Sequence, residues 1–233
     1  APREEAMDAA RLRRTQTWIF DLDETLYPPD AGLLAAVDAR ITAFIARELG
    51  VGRKDAERIR RETWESHGIT LGGLVERHGV APARFLEEVH AIDLSHVRPD
   101  ARLARALAAL PGRRIVHTNA ARAHAERVLA ALGIGQAFDA VFAIEDKALE
   151  PKPRKGAYAR VIAATGLDPR RAVMIEDTAR NLVEPARLGM GTVWLAPGGG
   201  PVPAHVDLSV PCLPTFLETV PGDGFHGAGR AGI

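Results

Sequence analysis

The sequence predicts an α/β fold, a Rossmann-like parallel sheet with helices on both faces, plus an all-helical cap inserted after the first strand. Three observations carry that prediction. Short apolar runs alternate with helical stretches of about a dozen residues, which is the pattern of βαβ units. The first run is followed by some seventy residues with no strand signal. Most of the runs end in polar residues, at the edge where an open parallel sheet holds its ligands.

The first run, TWIFDLD at 17–23, is apolar and then acidic. It reads as a buried strand whose C-terminal end opens into a polar site. Pro28 and Pro29 stop it, because proline cannot continue a central strand. Leu33, Leu34, Val37, Ile41, Phe44 and Ile45 then share one helix face, with Asp30 as the expected N-cap and Gly50 as the stop. Further helices are predicted over 53–66, 71–78 and 82–91. Asp100 caps the next, over 101–110, which Pro111-Gly112 closes. Strands at 113–119, 138–144, 172–177 and 191–196 follow, with helices over 123–135, 155–166 and 178–189 between them. Gly198-Gly199-Gly200 opens no helix and lacks a following Lys-Ser/Thr, so it reads as a turn rather than a phosphate loop.

Composition narrows the function. At 233 residues the chain suits one large domain, or a medium one with an insert. The layout expected is a flexible leader over 1–16, an α/β core from 17–27 and 100–220, a helical cap over 28–99 and a flexible tail over 221–233. The leader lacks the apolar stretch of a signal peptide and reads as a frayed helix. Thirty basic residues balance thirty acidic ones, which disfavours a nucleic-acid polymer or an anionic membrane as partner. No apolar run approaches the ~20 residues needed to span a bilayer. Cys212 is the single cysteine, so no disulfide or cysteine metal cluster forms within the chain, and a cytoplasmic location is expected. Only Lys54, Lys147, Lys152 and Lys155 are lysines, which makes a lysine near a polar site informative.

Such a site is written at the strand ends. Asp21, Asp23 and Thr25 follow the first strand, and Thr118 and Asn119 the second. Glu150-Pro151-Lys152-Pro153 lies on the loop after the third, and Glu176 and Asp177 end the fourth. Each alone is a common cap or turn former; together, in phase with the strands, they point to one cleft. The four converging carboxylates of Asp21, Asp23, Glu176 and Asp177 would raise one another's pKa unless a cation compensates. Oxygen ligands without His or Cys favour a hard ion such as Mg2+. A lysine and a Thr-Asn pair would hold the remaining oxygens of a phosphate. One aspartate can attack phosphorus, and a carboxylate two residues on can protonate the leaving oxygen and then deprotonate water. The chemistry expected is metal-assisted hydrolysis of a small phosphorylated metabolite.

In their order along the chain, DLDETLY, Thr118-Asn119, Lys152-Pro153 and Glu176-Asp177 resemble the haloacid dehalogenase superfamily of phosphohydrolases over roughly 17–220. The stretches at 93–100, 117–134 and 176–193 resemble its pyrimidine 5′-nucleotidase-like branch. The resemblance implies that Asp21 is the nucleophile and a Mg2+ ligand. It makes Asp23 the general acid/base, with its backbone carbonyl a further ligand. Thr118, with Asn119 beside it, would bind the phosphoryl group, and Lys152 would stabilise its charge. Asp177 would ligate the metal directly and Glu176 through water. Thr25 would support the turn, and Asn181, where several relatives carry another acid, would support the metal loop.

The resemblance also implies a movable cap that selects the substrate, with pyrimidine nucleoside 5′-monophosphates expected and phosphoglycolate or a sugar phosphate as alternatives. A metal-independent haloacid dehalogenase fits less well, because it needs no acid at position 23. A receiver-like phosphoacceptor module also fits less well, since its acceptor aspartate ends the third strand. Phe44, Trp64 and Phe85 would either stack on a base or fill the cap's core, and helical spacing favours the core. Gly72-Gly73 reads as a hinge or an ordinary turn. The eight histidines form no HxxxH or HxH cluster, and His117 should face away from Thr118 as a structural residue.

Overall fold

The structure, a computed structural model, describes residues 9–220. One all-parallel sheet is built from β1 (Thr17–Phe20), β2 (Arg113–His117), β3 (Ala140–Phe142), β4 (Ala172–Glu176), β5 (Gly191–Leu195) and β6 (Leu208–Val210). Their spatial order is β3-β2-β1-β4-β5-β6. In β1, Ile19 lies opposite Ile115 of β2 on one side and Met174 of β4 on the other. The winding reverses between β1 and β4, and ligands of such sheets sit at the carboxyl edge of that switch point.

Every residue of β1 and β4 is buried, as strands covered on both faces require. Alternation divides the core in two. Trp18, Phe20, Val116 and Val173 pack with Leu103 and Leu107 of α6 (Ala101–Ala109), Val128 of α7 (Arg122–Ala131) and Phe216 of α10 (Leu213–Thr219). Ile19, Ile115 and Met174 face the other way, onto Val161 of α8 (Lys155–Thr165). Asp100 caps α6 as expected, accepting from the backbone N–H of Arg102 and Leu103, both at 2.9 Å.

Between β1 and α6 lie four helices: α2 (Leu33–Leu49), α3 (Arg53–His67), α4 (Thr70–His78) and α5 (Pro82–Val89). They share an apolar cluster of their own, including Phe44, Ile45, Leu71, Leu74 and Phe85, which Ala121 and Ile144 join from the sheet side. Phe44 meets Phe85 edge-on at 5.1 Å, so it belongs to this core. Gly72-Gly73 lies inside α4 and is neither hinge nor loop. A Cβ at Gly73 would come 2.6 Å from the Thr63 methyl, so glycine is what lets α3 and α4 approach.

Several boundaries differ from expectation. Asp30 is exposed in a 3-10 turn, and Gly32, at φ 70°, precedes α2 without a side-chain cap. The second half of the supposed flexible leader is an ordered helix, α1 (Ala9–Arg14), because Leu12 is apolar enough to dock into the main core. Expectations for 1–8 and 221–233 lie outside the described residues. The helix expected over 178–189 divides into a 3-10 turn (Ala179–Leu182) and α9 (Val183–Arg187). Pro185 is the reason: it has no N–H to bond the Asn181 carbonyl, which instead accepts from Tyr158 Oη at 2.5 Å. β6 and α10 are too short for a periodic signal, three and seven residues. No helix among the described residues is long and apolar enough to cross a membrane.

Candidate active site

The ladder between β1 and β4 runs one residue past the strand, with Asp21 N donating to Ile175 O at 3.0 Å. The chain then turns tightly: Leu26 N donates to Leu22 O at 2.9 Å, and Glu24 takes a left-handed φ of 56°. Such a conformation is uncommon for a residue with a side chain and is held by its surroundings. Asp21 and Asp23 come out at the same sheet edge. All seven predicted site residues, Asp21, Asp23, Thr118, Asn119, Lys152, Glu176 and Asp177, line one cavity of about 470 Å3.

Lys152 is the buried centre of the site. Its Nζ lies 2.6 Å from Asp21 Oδ1 and 2.6 Å from Glu176 Oε2. Burial opposes its charge, but Asp21 and Glu176 hold the ammonium above the ordinary lysine value. Glu176 spends its other oxygen on Asn181 Nδ2, at 3.1 Å, so Asn181 does brace this acid. Asp177 accepts from Thr178 Oγ1 at 3.3 Å and lies beside the Glu176 carboxyl, while its own carbonyl is held by Trp194 Nε1 at 2.7 Å.

Carboxylate oxygens of Asp21, Glu176 and Asp177 lie within 4.8 Å of one another. Burial and the Asp21 charge push Glu176 well above the usual carboxylate range. The same two causes push Asp177 up to about 6. One ammonium therefore leaves three crowded acids under-compensated. An oxygen-only donor set with that deficit fits a hard divalent cation.

Thr118 is fully buried, and its Oγ1 accepts from Ala120 N at 2.9 Å, which leaves the hydroxyl proton for the cavity. The Asn119 side chain is engaged by the loop carrying Lys152 and also accepts from Lys147 Nζ at 3.1 Å. The side chain expected to bind phosphate is thus occupied in fixing the lysine loop. Lys147 is a buried strut, with its Nζ 2.7 Å from Thr118 O, and burial plus the Lys152 charge push it down to about 7. Thr25 is buried beneath the turn with its hydroxyl unpartnered. His117 is buried against Tyr158, edge-on at 5.0 Å, as a structural residue.

Sequence reasoning missed the groups around Asp23. Tyr27 Oη donates to Asp23 Oδ1 at 2.6 Å, and His124 Nε2 lies 3.4 Å from the same oxygen. The His90 ring packs on His124 with centroids 4.7 Å apart. Burial works to raise the Asp23 carboxyl, but His124, aided by Tyr27, outweighs it and holds the group below the usual carboxylate range. Tyr27 carried a local signal, since a residue four positions on within one helical turn falls beside Asp23. His124 and His90 come from distant parts of the chain and carried none.

The far wall of the cavity is the helical insert. Val37, Ile41, Phe85 and Val89 make it apolar, with Trp64 and Arg60 beside them. Arg180, on the loop after β4, lies over the Trp64 ring at 4.1 Å from its centroid.

A family model described as haloacid dehalogenase-like hydrolase matches residues 15–188, more than half of the chain. Phosphate metabolism protein 8 of Saccharomyces cerevisiae is 24% identical over 195 residues, covering 76% of this chain and 60% of that protein. The chain thus spans less than two thirds of that relative's length. The magnesium-bound HAD-hydrolase YfnB of Bacillus subtilis superposes with a TM-score of 0.61 at 15% identity, covering 89% of this chain and 99% of that one. A HAD phosphatase from Thermococcus onnurineus gives 0.61 at 19% identity with the same coverages. At such identities these structures speak to the fold alone.

Proposed function

Since the chain belongs to the haloacid dehalogenase-like hydrolase family, we propose that it hydrolyses phosphate monoesters with Mg2+ through an aspartyl-phosphate, acting on pyrimidine nucleoside 5′-monophosphates. The observation that carries this reading is the doubly paired Lys152, 2.6 Å from both Asp21 and Glu176 at the edge of an acidic cluster. A site that already balances clustered carboxylates with an ammonium is suited to a dianionic group and a hard cation.

The roles follow from the contacts. Asp21 is the nucleophile: its carboxylate attacks phosphorus, and the bond from phosphorus to the leaving oxygen breaks. Asp23 gives that oxygen a proton. Two nearby negative charges, on phosphate and nucleophile, favour the protonated form of Asp23 that this needs. Asp23 then takes a proton from the water that attacks the aspartyl-phosphate and frees Asp21. Lys152 holds Asp21 and stabilises charge as it builds on the phosphoryl oxygens. Thr118 offers its hydroxyl to the same oxygens.

Asp21, Asp177 and the backbone carbonyl of Asp23 would hold Mg2+, with Glu176 reaching it through water because both its oxygens are bonded already. The ion supplies Lewis-acid neutralisation of phosphoryl charge when bound. An acid at position 23 and this cation site set the reading apart from metal-independent dehalogenation, which needs neither.

The pyrimidine assignment is supported by the branch resemblance and by an apolar wall facing a polar floor, which suits a ring joined to a phosphate. The test is kcat/KM for UMP, CMP, AMP, phosphoglycolate and glucose 1-phosphate at one Mg2+ concentration. UMP and CMP are expected to lead. A tenfold lead for phosphoglycolate or the sugar phosphate would overturn the nucleotide reading and keep the phosphatase. Phosphate release from none of them would remove both. Mass spectrometry of a trapped intermediate should place the phosphoryl group on Asp21 and on no other residue.

A further inference from the structure

We propose that Tyr27 and His124 are positioning residues that lock the Asp23 carboxyl so that Oδ2, and only Oδ2, exchanges a proton with substrate and water. The inference rests on the reading of Asp23 as general acid/base. Both contacts fall on one oxygen: Tyr27 Oη donates to Oδ1 at 2.6 Å, and His124 Nε2 lies 3.4 Å from it. Oδ2 has no hydrogen-bond partner among the described residues, and Asp23 lines the cavity, so Oδ2 is the oxygen left for chemistry.

The supports are themselves fixed. Tyr27 and His124 are almost wholly buried, in the main core and in α7. His124 Nδ1 is buried without a partner. With no hydrogen-bond partner at Nδ1 to hold a proton there, the ring N–H is assigned to Nε2, which donates to the carboxylate. His90, immediately after α5, packs on that ring with centroids 4.7 Å apart. The general acid is thus braced by its own turn through Tyr27 and by the core helix through His124, and the helical insert backs the second brace. A carboxyl free to rotate would present its proton to the leaving oxygen only part of the time, and misplacement on the ångström scale is costly in catalysis.

Position of the acid matters in proportion to how poor the leaving group is. p-Nitrophenolate departs unprotonated, whereas phenolate depends on the proton from Oδ2. Because kcat/KM covers steps through leaving-group departure, the ratio of kcat/KM for phenyl phosphate to that for p-nitrophenyl phosphate isolates this transfer. Tyr27→Phe and His124→Leu are each expected to lower that ratio about tenfold, a part of the roughly 100- to 10,000-fold that a whole general acid contributes. His124→Gln, whose amide nitrogen falls near the Nε2 position, should recover most of it. Asp23→Asn should lower the ratio further than either.

A merely structural role would reduce both substrates in parallel and leave the ratio at its wild-type value. That result for Tyr27→Phe and for His124→Leu, with Asp23→Asn still lowering the ratio, overturns the positioning role. An unchanged ratio in Asp23→Asn instead overturns the general-acid reading beneath it. If His124→Leu does not fold, the Tyr27→Phe ratio and the comparison of His124→Gln with wild type decide the matter: a drop in the former with near-native values in the latter supports the inference, and no drop in the former rejects it.

Discussion

Asn119 clasps the backbone of Lys152 from both sides: its Oδ1 accepts from Lys152 N at 2.8 Å and its Nδ2 donates to Lys152 O at 3.2 Å. One side chain after β2 thereby fixes the loop that carries the site's ammonium. Asn119→Ala leaves two buried backbone groups unpaired, at a cost of roughly 1–3 kcal/mol each. The expected outcome is a lower Tm together with a fall in kcat that exceeds the change in KM. Wild-type kcat in a folded Asn119→Ala protein would show that the clasp does not govern Lys152.

The two buried lysines separate in the same assay. Lys152→Met leaves Asp21 and Glu176 facing a dianionic substrate without their shared cation. A loss of kcat on the order of a hundredfold or more is expected. Lys147→Met removes a strut to Thr118 O and Asn119 Oδ1 and should act on Tm first, with a smaller kinetic loss. Steady-state kinetics beside thermal unfolding checks both, and the reverse ranking would transfer the catalytic role to Lys147.

With three carboxylates within 4.8 Å of one another, stability should depend on a divalent cation. Millimolar Mg2+ should raise Tm by mass action, and EDTA should abolish turnover. Asp177→Asn removes one of the repelling charges, so its Tm in EDTA should equal or exceed that of the wild type while the Mg2+-dependent rise shrinks. Full activity after exhaustive chelation would sink the cation assignment.

Burial and the neighbouring His124 push His90 down from 6.5 to about 4. Asp23 works against that shift and Arg127 with it. The folded state therefore binds the proton less readily than the unfolded chain. Stability from neutral His90 is complete above pH 6.5 and is lost as pH falls through about 4. His90→Phe keeps a ring on His124 without the titration. Its Tm should fall less steeply than wild type between pH 7 and pH 4.5, and parallel curves would refute the burial argument.

What could be read from the chain alone follows from where the signals are local. β1 and β4 are uniform apolar runs ending in acids, so their ends located Asp21, Asp23, Glu176 and Asp177 directly. Lys152 stood out because lysine is rare here. Strand phase places Asn119 at the edge where phosphate would bind but says nothing of its partner, and here the partner is 33 residues away. His124 lies 101 residues from Asp23, a contact that only the packing of α7 onto the sheet creates. Leu12 shows the same limit, since an apolar residue in a charged leader gives no hint that a core pocket awaits it.

Trp64 stands in the cavity's far wall. Helical spacing favoured a core role for it beside Phe44 and Phe85, yet 45% of it is exposed and it lines the cavity. Its ring is covered by Arg180 at 4.1 Å, and Arg180 comes from the loop that follows Glu176 and Asp177. A ring face occupied by a guanidinium is not available to a base, so the stack works as a fastening between α3 and the sheet edge. Such contacts contribute about 0.5–2 kcal/mol, enough to change substrate affinity severalfold if the wall they hold is needed for binding. Trp64→Ala should therefore raise KM for UMP and for p-nitrophenyl phosphate by the same factor, while Trp64→Phe retains much of the wild-type value. A rise confined to UMP would make Trp64 a contact for the nucleoside instead of a fastening.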